Sequence, residues 1–445
     1  MGKYFGTDGF RGEANKSLTV DHAFKIGRYL GWYYGKEHKC KIVIGKDTRR
    51  SSYMFEYALA AGLTASGADA YLLHVTTTPS VAYVVRTEDF DCGIMISASH
   101  NPYFDNGIKL INSKGEKMSE AITDDIEKYI DGLLPEAPLA VGENIGRSVD
   151  YVAGRNRYTG YIISLAKHSY KNIKIGLDAS NGSTWMLAKN IFDTLGADTY
   201  VIGNTPDGLN INLDCGSTHI DNLCNLVKDK KLDIGFAFDG DADRCLAVDE
   251  KGNILTGDHI MYFCAKHLKK NDSLEKNTVA ATVMSNLGLF KALEKSGINY
   301  VKTDVGDRFV YEAMTEGGYC LGGEESGHII FSKFASTGDG LITAIKIMEV
   351  LIESKRQASA LCEDFEIYPQ LTRNIKVKDK DAAINNPEVQ EAAKTIADKL
   401  GNNGRILLRK SGTEPVVRVM VEAETKQLCE DYTCLVANII EKNNF

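Results

Sequence analysis

The chain has 445 residues, a length that predicts two to four domains at roughly 100–200 residues each. Hydrophobic residues make up 43% and charged residues 25%, which excludes disordered, collagen-like and coiled-coil proteins. The formal net charge is −8, so the chain lacks the dense cationic surface that a nucleic-acid partner requires. A small anionic ligand remains open, because it needs only one local basic pocket.

Cysteine usage and the absence of targeting signals indicate a compartment. The chain has ten cysteines, none of which forms a CxxC pair. The opening residues MGKYFGTDGFRG carry no apolar signal core, and no apolar run reaches the roughly 18 residues of a membrane span. We therefore expect reduced thiols, a cytoplasmic location and no membrane partner.

An internal repeat organises the first three quarters of the chain. Each copy has a β-branched strand, a helix that ends at a glycine, and a second strand. The matching segments are Lys41–Asp47 with Ser66–Leu73, Asn172–Asp178 with Leu195–Ile202 and, more weakly, Thr278–Met284 with Ser296–Asp304. Helical spacing is expected at Tyr53–Ser66, Trp185–Leu195 and Gly340–Glu353. The repeat predicts three similar α/β domains with mixed sheets around a central cleft.

The remainder of the chain predicts a smaller, different domain. Alternating strands near RNIKVK, RILLRKSG and VVRVMVEAE, with helices at Val389–Leu400 and Leu428–Lys442, predict a C-terminal α+β domain. Boundaries are expected at the Pro/Gly-bearing segment Leu133–Gly146, at the hairpin-like Asp249–Asn253 and near Tyr368–Pro369. The predicted domains are 1–148, 149–250, 251–367 and 368–445.

Two loops in the first domain carry polar side chains. ISASHNPYFDNGIK (Ile96–Lys109) follows an apolar strand and offers the hydroxyl of Ser99 as a nucleophile, with Lys109 as an acid/base or a phosphate contact. The loop lacks the GxSxG pattern of a hydrolase, and neighbouring Ser99 and His100 are not expected to pair on their own. An ordinary Asn-Pro turn is the alternative. GTDGFRG, with Arg11, and GKDTRRSS are lesser candidates and equally consistent with turns.

The second domain contains FDGDADR (Phe238–Arg244) directly after an apolar strand. Asp239, Asp241 and Asp243 repel one another unless a cation compensates, and oxygen-only ligands favour Mg²⁺ or Ca²⁺. An EF-hand is excluded because its sixth position would be Arg244 where glycine is needed. A solvated acidic turn is the alternative.

The third domain and the tail each contribute one loop. LGGEESGH (Leu321–His328) places carboxylates, a hydroxyl and an imidazole where they suit sugar hydroxyls, although a flexible turn explains it equally well. RKSGTEPVVR (Arg409–Arg418) is locally cationic in an acidic protein and has the composition of a phosphate nest, with a charged hairpin as the alternative. A cleft that binds a phosphorylated sugar uses all of these loops.

Together the motifs resemble the α-D-phosphohexomutase superfamily over nearly the whole chain and in family order. GTDGFRG, NIN..CGSTH (Asn210–His219) and VGDRFV (Val305–Val310) are similar to its glucosamine branch. The resemblance implies an enzyme that interconverts glucosamine 6-phosphate and glucosamine 1-phosphate through a phosphoserine and a 1,6-bisphosphate. The product supplies the amino-sugar precursor of UDP-N-acetylglucosamine.

The resemblance also implies residue roles. Ser99 is the phosphoserine; Arg11, His100 and Lys109 are catalytic, with the general acid/base open among Lys109, His100 and His328. One Mg²⁺ binds Ser99, Asp239, Asp241 and Asp243. The implied substrate contacts are Arg244, Glu324, Ser326, His328, Arg409, Ser411, Gly412, Thr413 and Arg418. A homodimer is left open.

One position departs from the pattern. The glucosamine branch usually has Gln, and the phosphomannomutase/phosphoglucomutase branch Met, where this chain has Glu325. That second branch is therefore the alternative function. A Mg²⁺-dependent sugar phosphatase and a non-catalytic sugar-phosphate binding protein are further alternatives, although the first needs a water-activating base and the second needs neither Ser99 nor the aspartates.

Overall fold

A computed structural model describes residues 2–411 and 415–443. The chain divides into two compact units. The main unit comprises Met1–Val283 and Asn299–Cys362, and the carboxyl-terminal unit comprises Met284–Ile298 and Glu363–Phe445.

The first sheet of the main unit has seven strands in the order β1-β2-β6-β5-β3-β4-β7. They are β1 (Phe5–Gly6), β2 (Gly9–Glu13), β3 (Lys41–Lys46), β4 (Asp69–Val75), β5 (Cys92–Ile96), β6 (Asp105–Asn112) and β7 (Ser148–Asp150). The accompanying helices are α1 (Val20–Tyr34), α2 (Arg50–Ala65), α3 (Thr78–Thr87), α4 (Glu120–Ile130) and α5 (Val152–Ser164). Strands β5, β3 and β4 are parallel, whereas β6 is antiparallel to β5.

The second sheet has five strands in the order β12-β11-β10-β8-β9. They are β8 (Lys174–Asp178), β9 (Asp198–Ile202), β10 (Ile234–Phe238), β11 (Cys245–Asp249) and β12 (Ile254–Leu255), with helices α6 (Leu187–Thr194) and α7 (Asp221–Lys230). β10, β8 and β9 are parallel, and β11 is antiparallel to β10.

The third sheet has four strands in the order β14-β13-β15-β16. They are β13 (Thr278–Thr282), β14 (Asn299–Thr303), β15 (Leu321–Gly323) and β16 (Ile329–Phe331), with helices α8 (Gly257–Lys270), α10 (Asp307–Gly317) and α11 (Gly340–Ser354). Helix α9 (Leu287–Lys295), between β13 and β14 in the chain, belongs to the carboxyl-terminal unit. β15, β13 and β14 are parallel, and β16 is antiparallel to β15.

The three sheets therefore share one unit: two parallel strands joined by a helix, a third parallel strand, and an antiparallel return strand. The turn from the third parallel strand to the return strand is the segment 97–104 in the first sheet, 239–244 in the second and 324–328 in the third. Three of the motifs that the sequence singled out thus occupy one equivalent position, the carboxyl end of a buried strand, where α/β sheets bind ligands.

The carboxyl-terminal unit has a different architecture, as the sequence predicted. Its antiparallel sheet, in the order β17-β19-β18, consists of β17 (Gln370–Lys376), β18 (Arg405–Lys410) and β19 (Val416–Glu422). Its remaining helices are α12 (Lys380–Asn385), α13 (Pro387–Leu400) and α14 (Lys426–Lys442). A separate core of residues such as Val389, Val417 and Val436 supports it.

Every predicted helix is present within a few residues of its expected bounds, and the predicted class of three α/β domains with a smaller C-terminal domain is confirmed. The Asp249–Asn253 turn does form the expected hairpin, between β11 and β12. Within the described residues, no helix is both long enough and apolar enough to cross a membrane.

Candidate active site

Ser99 lies in the turn between β5 and β6, and its side chain is 1% exposed. Its hydroxyl Oγ donates to Asp239 Oδ2 at 2.5 Å, across a separation of 140 residues. Its backbone has the left-handed φ of 52°, which is uncommon for a residue with a Cβ. The structure thus brings the predicted nucleophile to the predicted metal loop.

His100 corrects one expectation. Its Nδ1 lies 3.2 Å from Ser99 Oγ, so the adjacent side chains do meet. Both residues lie in one tight turn, which the Asn101 N–H closes by donating to Ala98 O at 3.0 Å, and Ser99 has a left-handed backbone there. Burial, together with Arg244 and Arg11, lowers the pKa of His100 to about 4. The imidazole is therefore neutral at pH 7 and a weak base.

The aspartates of the β10–β11 turn form a buried carboxylate cluster. Asp239, Asp241 and Asp243 each offer an oxygen within 4.8 Å of the others. Burial, then repulsion from Asp243 and Asp241, raises the pKa of Asp239 well above its usual range. Oδ1 of Asp241 and Oδ1 of Asp243 are buried and have no hydrogen-bond partner. Inward, unsatisfied carboxylate oxygens are the donor set that a hard divalent cation prefers, so the residues fit the expected metal.

Lys109, on β6, is a fixed positive charge beside this cluster. Its Nζ lies 2.8 Å from Asp241 Oδ2, 3.2 Å from Asp243 Oδ2 and 3.3 Å from Asp8 Oδ2. Burial opposes the charged form, but these three carboxylates outweigh it and raise the pKa of Lys109 well above its usual value. A lysine held so firmly protonated stabilises negative charge rather than shuttling protons near neutral pH.

Asp8 is a site residue that the sequence analysis did not single out. It pairs with Arg11 and lies near Lys109 and Lys117, whose Nζ is 3.4 Å away. Burial disfavours its charge, but the three cations lower the pKa of Asp8 far below its usual range. The signal was available, because Asp8 lies in the same GTDGFRG segment as Arg11.

Asp307 and Thr78 were also missed. Lys117 Nζ lies 2.6 Å from Asp307 Oδ1, and Thr78 Oγ1 donates to Asp241 Oδ2 at 2.5 Å. Asp307 belongs to VGDRFV, which served only to place the branch, and no local pattern marks Thr78. Only the tertiary structure brings them to the site.

A cavity of about 630 Å³ opens beside this charged group. Asp8, Lys109, Lys117, Asp243 and Asp307 contribute to its lining. Its volume lies within the range of small-molecule sites, about 300–1,000 Å³. The main unit alone therefore offers a ligand-sized space next to the carboxylate cluster.

The β15–β16 turn brings His328 to the same site. His328 Nδ1 lies 3.8 Å from Asp243 Oδ1, and His328 Nε2 accepts a hydrogen bond from the Gly338 N–H at 3.1 Å. A neutral ring that accepts this bond carries its proton on Nδ1, facing the carboxylate. Burial opposes a second proton, but Asp243 and Asp307 outweigh it and raise the pKa of His328 to about 9. His328 is thus fixed in orientation within the predicted sugar loop.

The other predicted contacts of this region are nearby in the fold. Glu324 Oε1 accepts from the Gly306 N–H at 3.1 Å, while Ser326 Oγ is buried without a hydrogen-bond partner. The Arg244 N–H donates to Asp239 Oδ1 at 3.2 Å. Burial opposes the charge of Arg244, but Asp243 and Asp239 raise its pKa. Ser326 therefore offers a buried hydroxyl that has no hydrogen-bond partner within the described residues.

The predicted cationic loop belongs to the carboxyl-terminal unit. Arg409 on β18 lies directly opposite Arg418 on β19 in the antiparallel register. Two arginines thus lie side by side on neighbouring strands of the predicted phosphate-binding loop. Ser411 is buried, and its N–H donates to Val416 O at 3.0 Å. Gly412 and Thr413, also predicted to bind phosphate, lie outside the described residues.

The fold and the site together define a phosphohexomutase. Four domain models of the phosphoglucomutase/phosphomannomutase family match the chain in order. They are α/β/α domain I (residues 2–134), α/β/α domain II (151–252), α/β/α domain III (256–368) and the C-terminal domain (373–438). The chain belongs to this family.

Curated relatives narrow the branch. A phosphoglucosamine mutase of Lachnospira eligens is 64% identical over 100% of both chains. Phosphoglucosamine mutases of Lachnoclostridium phytofermentans and Bacillus cytotoxicus are 62% and 46% identical, each over 99% of both chains. The predicted family and enzyme class are confirmed.

Solved structures share the fold. A phosphoglucomutase/phosphomannomutase family protein from Burkholderia thailandensis has a TM-score of 0.81 at 22% identity, covering 100% of this chain and 99% of that one. N-acetylphosphoglucosamine mutase of Aspergillus fumigatus, in complex with GlcNAc-6P and magnesium, has a TM-score of 0.69 at 18% identity, covering 99% and 96%. At these identities the likeness concerns the fold alone.

Proposed function

We propose that the protein interconverts glucosamine 6-phosphate and glucosamine 1-phosphate, with Ser99 as the phosphoryl carrier and the 1,6-bisphosphate as the intermediate. The single observation that carries the proposal is the buried contact between Ser99 Oγ and Asp239. It places one hydroxyl against a cluster of carboxylates and cations, as phosphoryl transfer requires. The phosphoglucosamine mutases at 64% and 62% identity support the choice of sugar.

The reaction consists of two phosphoryl transfers, and both use Ser99 Oγ. The O1 hydroxyl of glucosamine 6-phosphate gives its proton to a base and attacks the phosphorus of phosphorylated Ser99; the P–Oγ bond breaks, and the leaving Ser99 Oγ takes up a proton. After the bisphosphate turns over, Ser99 Oγ gives its proton to a base and attacks the phosphorus at O6; the P–O6 bond breaks, O6 takes up a proton, and glucosamine 1-phosphate is left beside rephosphorylated Ser99. The 3.2 Å contact places His100 Nδ1 within hydrogen-bond reach of the serine proton, whereas its lowered pKa makes it a weak base at pH 7.

The surrounding cations supply electrostatic stabilisation. Lys109 and Arg11 belong to one partly buried charge cluster through Asp8, and Arg244 flanks the metal loop. Phosphoryl transfer has a charge-rich transition state, so fixed positive charges lower its free energy. The firm protonation of Lys109 supports this role over that of the general acid/base.

We propose Mg²⁺ as the cofactor, held by Asp239, Asp241, Asp243 and an oxygen on Ser99. When bound, the ion supplies neutralisation of phosphoryl oxygens. The orphaned oxygens of Asp241 and Asp243 support this assignment, as does the magnesium in the Aspergillus fumigatus complex.

Sugar and distal-phosphate recognition are proposed for the two remaining loops. Glu324, Ser326 and His328 would bind sugar hydroxyls, and the buried, uncommitted Ser326 Oγ supports this. The non-reacting phosphate is assigned to the loop that carries Arg409, Ser411, Gly412, Thr413 and Arg418. The opposed arginine pair supports the second assignment.

The remaining proposals concern organisation. We retain the division into domains 1–148, 149–250, 251–367 and 368–445, a cytoplasmic location, and a homodimer as one oligomeric state to test. The family matches support four domains, although their bounds differ by several residues.

A side-by-side assay tests the function and its main alternative. Purified protein with Mg²⁺ and a trace of 1,6-bisphosphate is given the 6-phosphates of glucosamine, glucose and mannose in turn. We expect kcat/KM to be highest for glucosamine 6-phosphate. Preference for glucose or mannose phosphate would assign the chain to the other branch, a change that Glu325 would explain. Stoichiometric release of inorganic phosphate would instead indicate a phosphatase.

A further inference from the structure

Side chains outside the proposed chemistry hold the backbone on both sides of His100. Arg49 Nη2 donates to Ser99 O at 3.2 Å and to Asn101 O at 2.6 Å. Asn212 Nδ2 donates to the same two oxygens, at 2.8 Å and 3.0 Å. Each carbonyl thus receives one donor from each of two side chains.

Arg49 cannot turn away from these carbonyls. Its side chain is fully buried, and Nη1 pairs with the Asp47 carboxylate. Asp47 Oδ1 is fixed in turn by the Ser52 hydroxyl at 2.7 Å and the Arg49 N–H at 2.9 Å. Arg49 directly precedes helix α2, and its planar guanidinium is held rigidly against the Ser99 turn.

Asn212 reaches the turn from a segment 113 residues away in sequence. Its φ is 58°, a conformation that asparagine tolerates better than most residues. Gly240 permits the approach, because a Cβ there would lie 2.5 Å from Ser99 O and 3.1 Å from Asn212 Nδ2. Close packing against Ser99 and Asn212 therefore explains why the DGDADR motif has glycine at position 240.

We infer that Arg49 and Asn212 are positioning residues that hold Ser99 in its left-handed conformation and so keep Oγ against Asp239 for both transfers. The inference rests on the proposed role of Ser99. A left-handed serine is strained and persists only where its surroundings fix it. If Ser99 relaxed to an ordinary backbone conformation, its Oγ would leave the carboxylate cluster. The Arg49 and Asn212 side chains donate to backbone oxygens and not to Ser99 Oγ, so both act on the serine through the backbone.

The test uses variants that remove the donors but keep the backbone. Arg49→Lys keeps the charge and loses the planar fork. Asn212→Gly loses the amide, and glycine accepts the positive φ. Arg50→Lys is the matched control, because Arg50 is the next residue and is exposed. For each variant we would measure transfer of labelled phosphoryl from glucose 1,6-bisphosphate to Ser99 in a single turnover, together with kcat, KM and Tm.

We expect Arg49→Lys and Asn212→Gly each to slow labelling of Ser99 and to lower kcat by roughly ten- to a hundredfold, with KM within about twofold of wild type. Arg50→Lys should match wild type. If Arg49→Lys fails to fold, Asn212→Gly decides the test alone. Wild-type labelling rates in the variants, or a change confined to KM, would overturn the clamp. A wild-type protein that takes no label at Ser99 would instead overturn the proposed function and the clamp with it.

Discussion

Lys109 Nζ lies 2.8 Å from Asp241 Oδ2, with both groups buried, so the lysine offsets part of the negative charge of the metal loop before any ion binds. The contact joins β6 of the first sheet to the β10–β11 turn of the second. It makes Lys109 both a structural and an electrostatic part of the site.

Lys109→Met should therefore lower both stability and activity. Asp241 and Asp243 would lose their buried cation, which typically costs about 3–5 kcal/mol. We expect a lower Tm in chelator, partial recovery with Mg²⁺, and kcat reduced at least about a hundredfold. Thermal melts with and without Mg²⁺ give the readout, and exposed Lys114→Met is the control. An unchanged Tm in chelator would show that the ion pairs contribute nothing.

Removing one carboxylate should weaken the metal site. Asp241→Asn leaves the loop with two charges for a hard cation, so the rise in Tm on adding Mg²⁺ should shrink and the Mg²⁺ concentration for half-maximal activity should rise at least about tenfold. Asp150→Asn is the control, because that side chain is 74% exposed. Full activity of the wild-type protein after exhaustive chelation would contradict the proposed cofactor.

Asp339 should give the protein a pH-dependent stability. Burial raises the pKa of Asp339 to about 6, although the Ile342 N–H and the Tyr158 hydroxyl, at 3.0 Å and 2.8 Å, oppose the shift. The folded state therefore binds this proton more tightly than the unfolded state. The proton on Asp339 therefore adds up to about 3 kcal/mol to the free energy of unfolding. This stabilisation is complete below about pH 4 and is lost as the pH rises through 6.

Asp339→Asn keeps a carbonyl oxygen for the helix cap but does not titrate. The Tm of wild type minus that of the variant should accordingly fall between pH 4.5 and pH 7.5. Asp150→Asn again provides the comparison for an exposed carboxyl. A difference that stays constant with pH would mean that Asp339 titrates normally.

Arg418 should matter for substrate binding rather than for labelling of Ser99. Arg418→Ala removes one charge of the pair opposite Arg409, and hydrogen bonds to charged groups contribute about 1.5–3 kcal/mol. KM for the monophosphate should rise roughly ten- to a hundredfold, while labelling of Ser99 from excess bisphosphate stays near wild type. Arg373→Ala, on β17 of the same sheet and 43% exposed, is the control. An unchanged KM would remove Arg418 from the phosphate site.

The sequence predicted the fold because its repeat is local: strand, helix and strand recur with recognisable apolar runs and glycine ends. It also singled out Ser99 and the aspartates, which the structure brings together, since each group lies within one short motif. Sequence analysis assigned no role to four residues whose contacts join distant segments: Asp8, Thr78, Arg49 and Asn212. Arg49 looked like an ordinary turn residue until its side chain was seen to end on the Ser99 carbonyl.

The most direct test of the account is intact mass and peptide mapping of the protein after incubation with Mg²⁺ and glucose 1,6-bisphosphate. The account predicts one added phosphoryl group, about 80 Da, on Ser99 of the wild-type protein, transfer of that group to glucosamine 6-phosphate, and neither labelling nor turnover in a folded Ser99→Ala variant. A phosphoryl group on another residue, or wild-type turnover by Ser99→Ala, would contradict it.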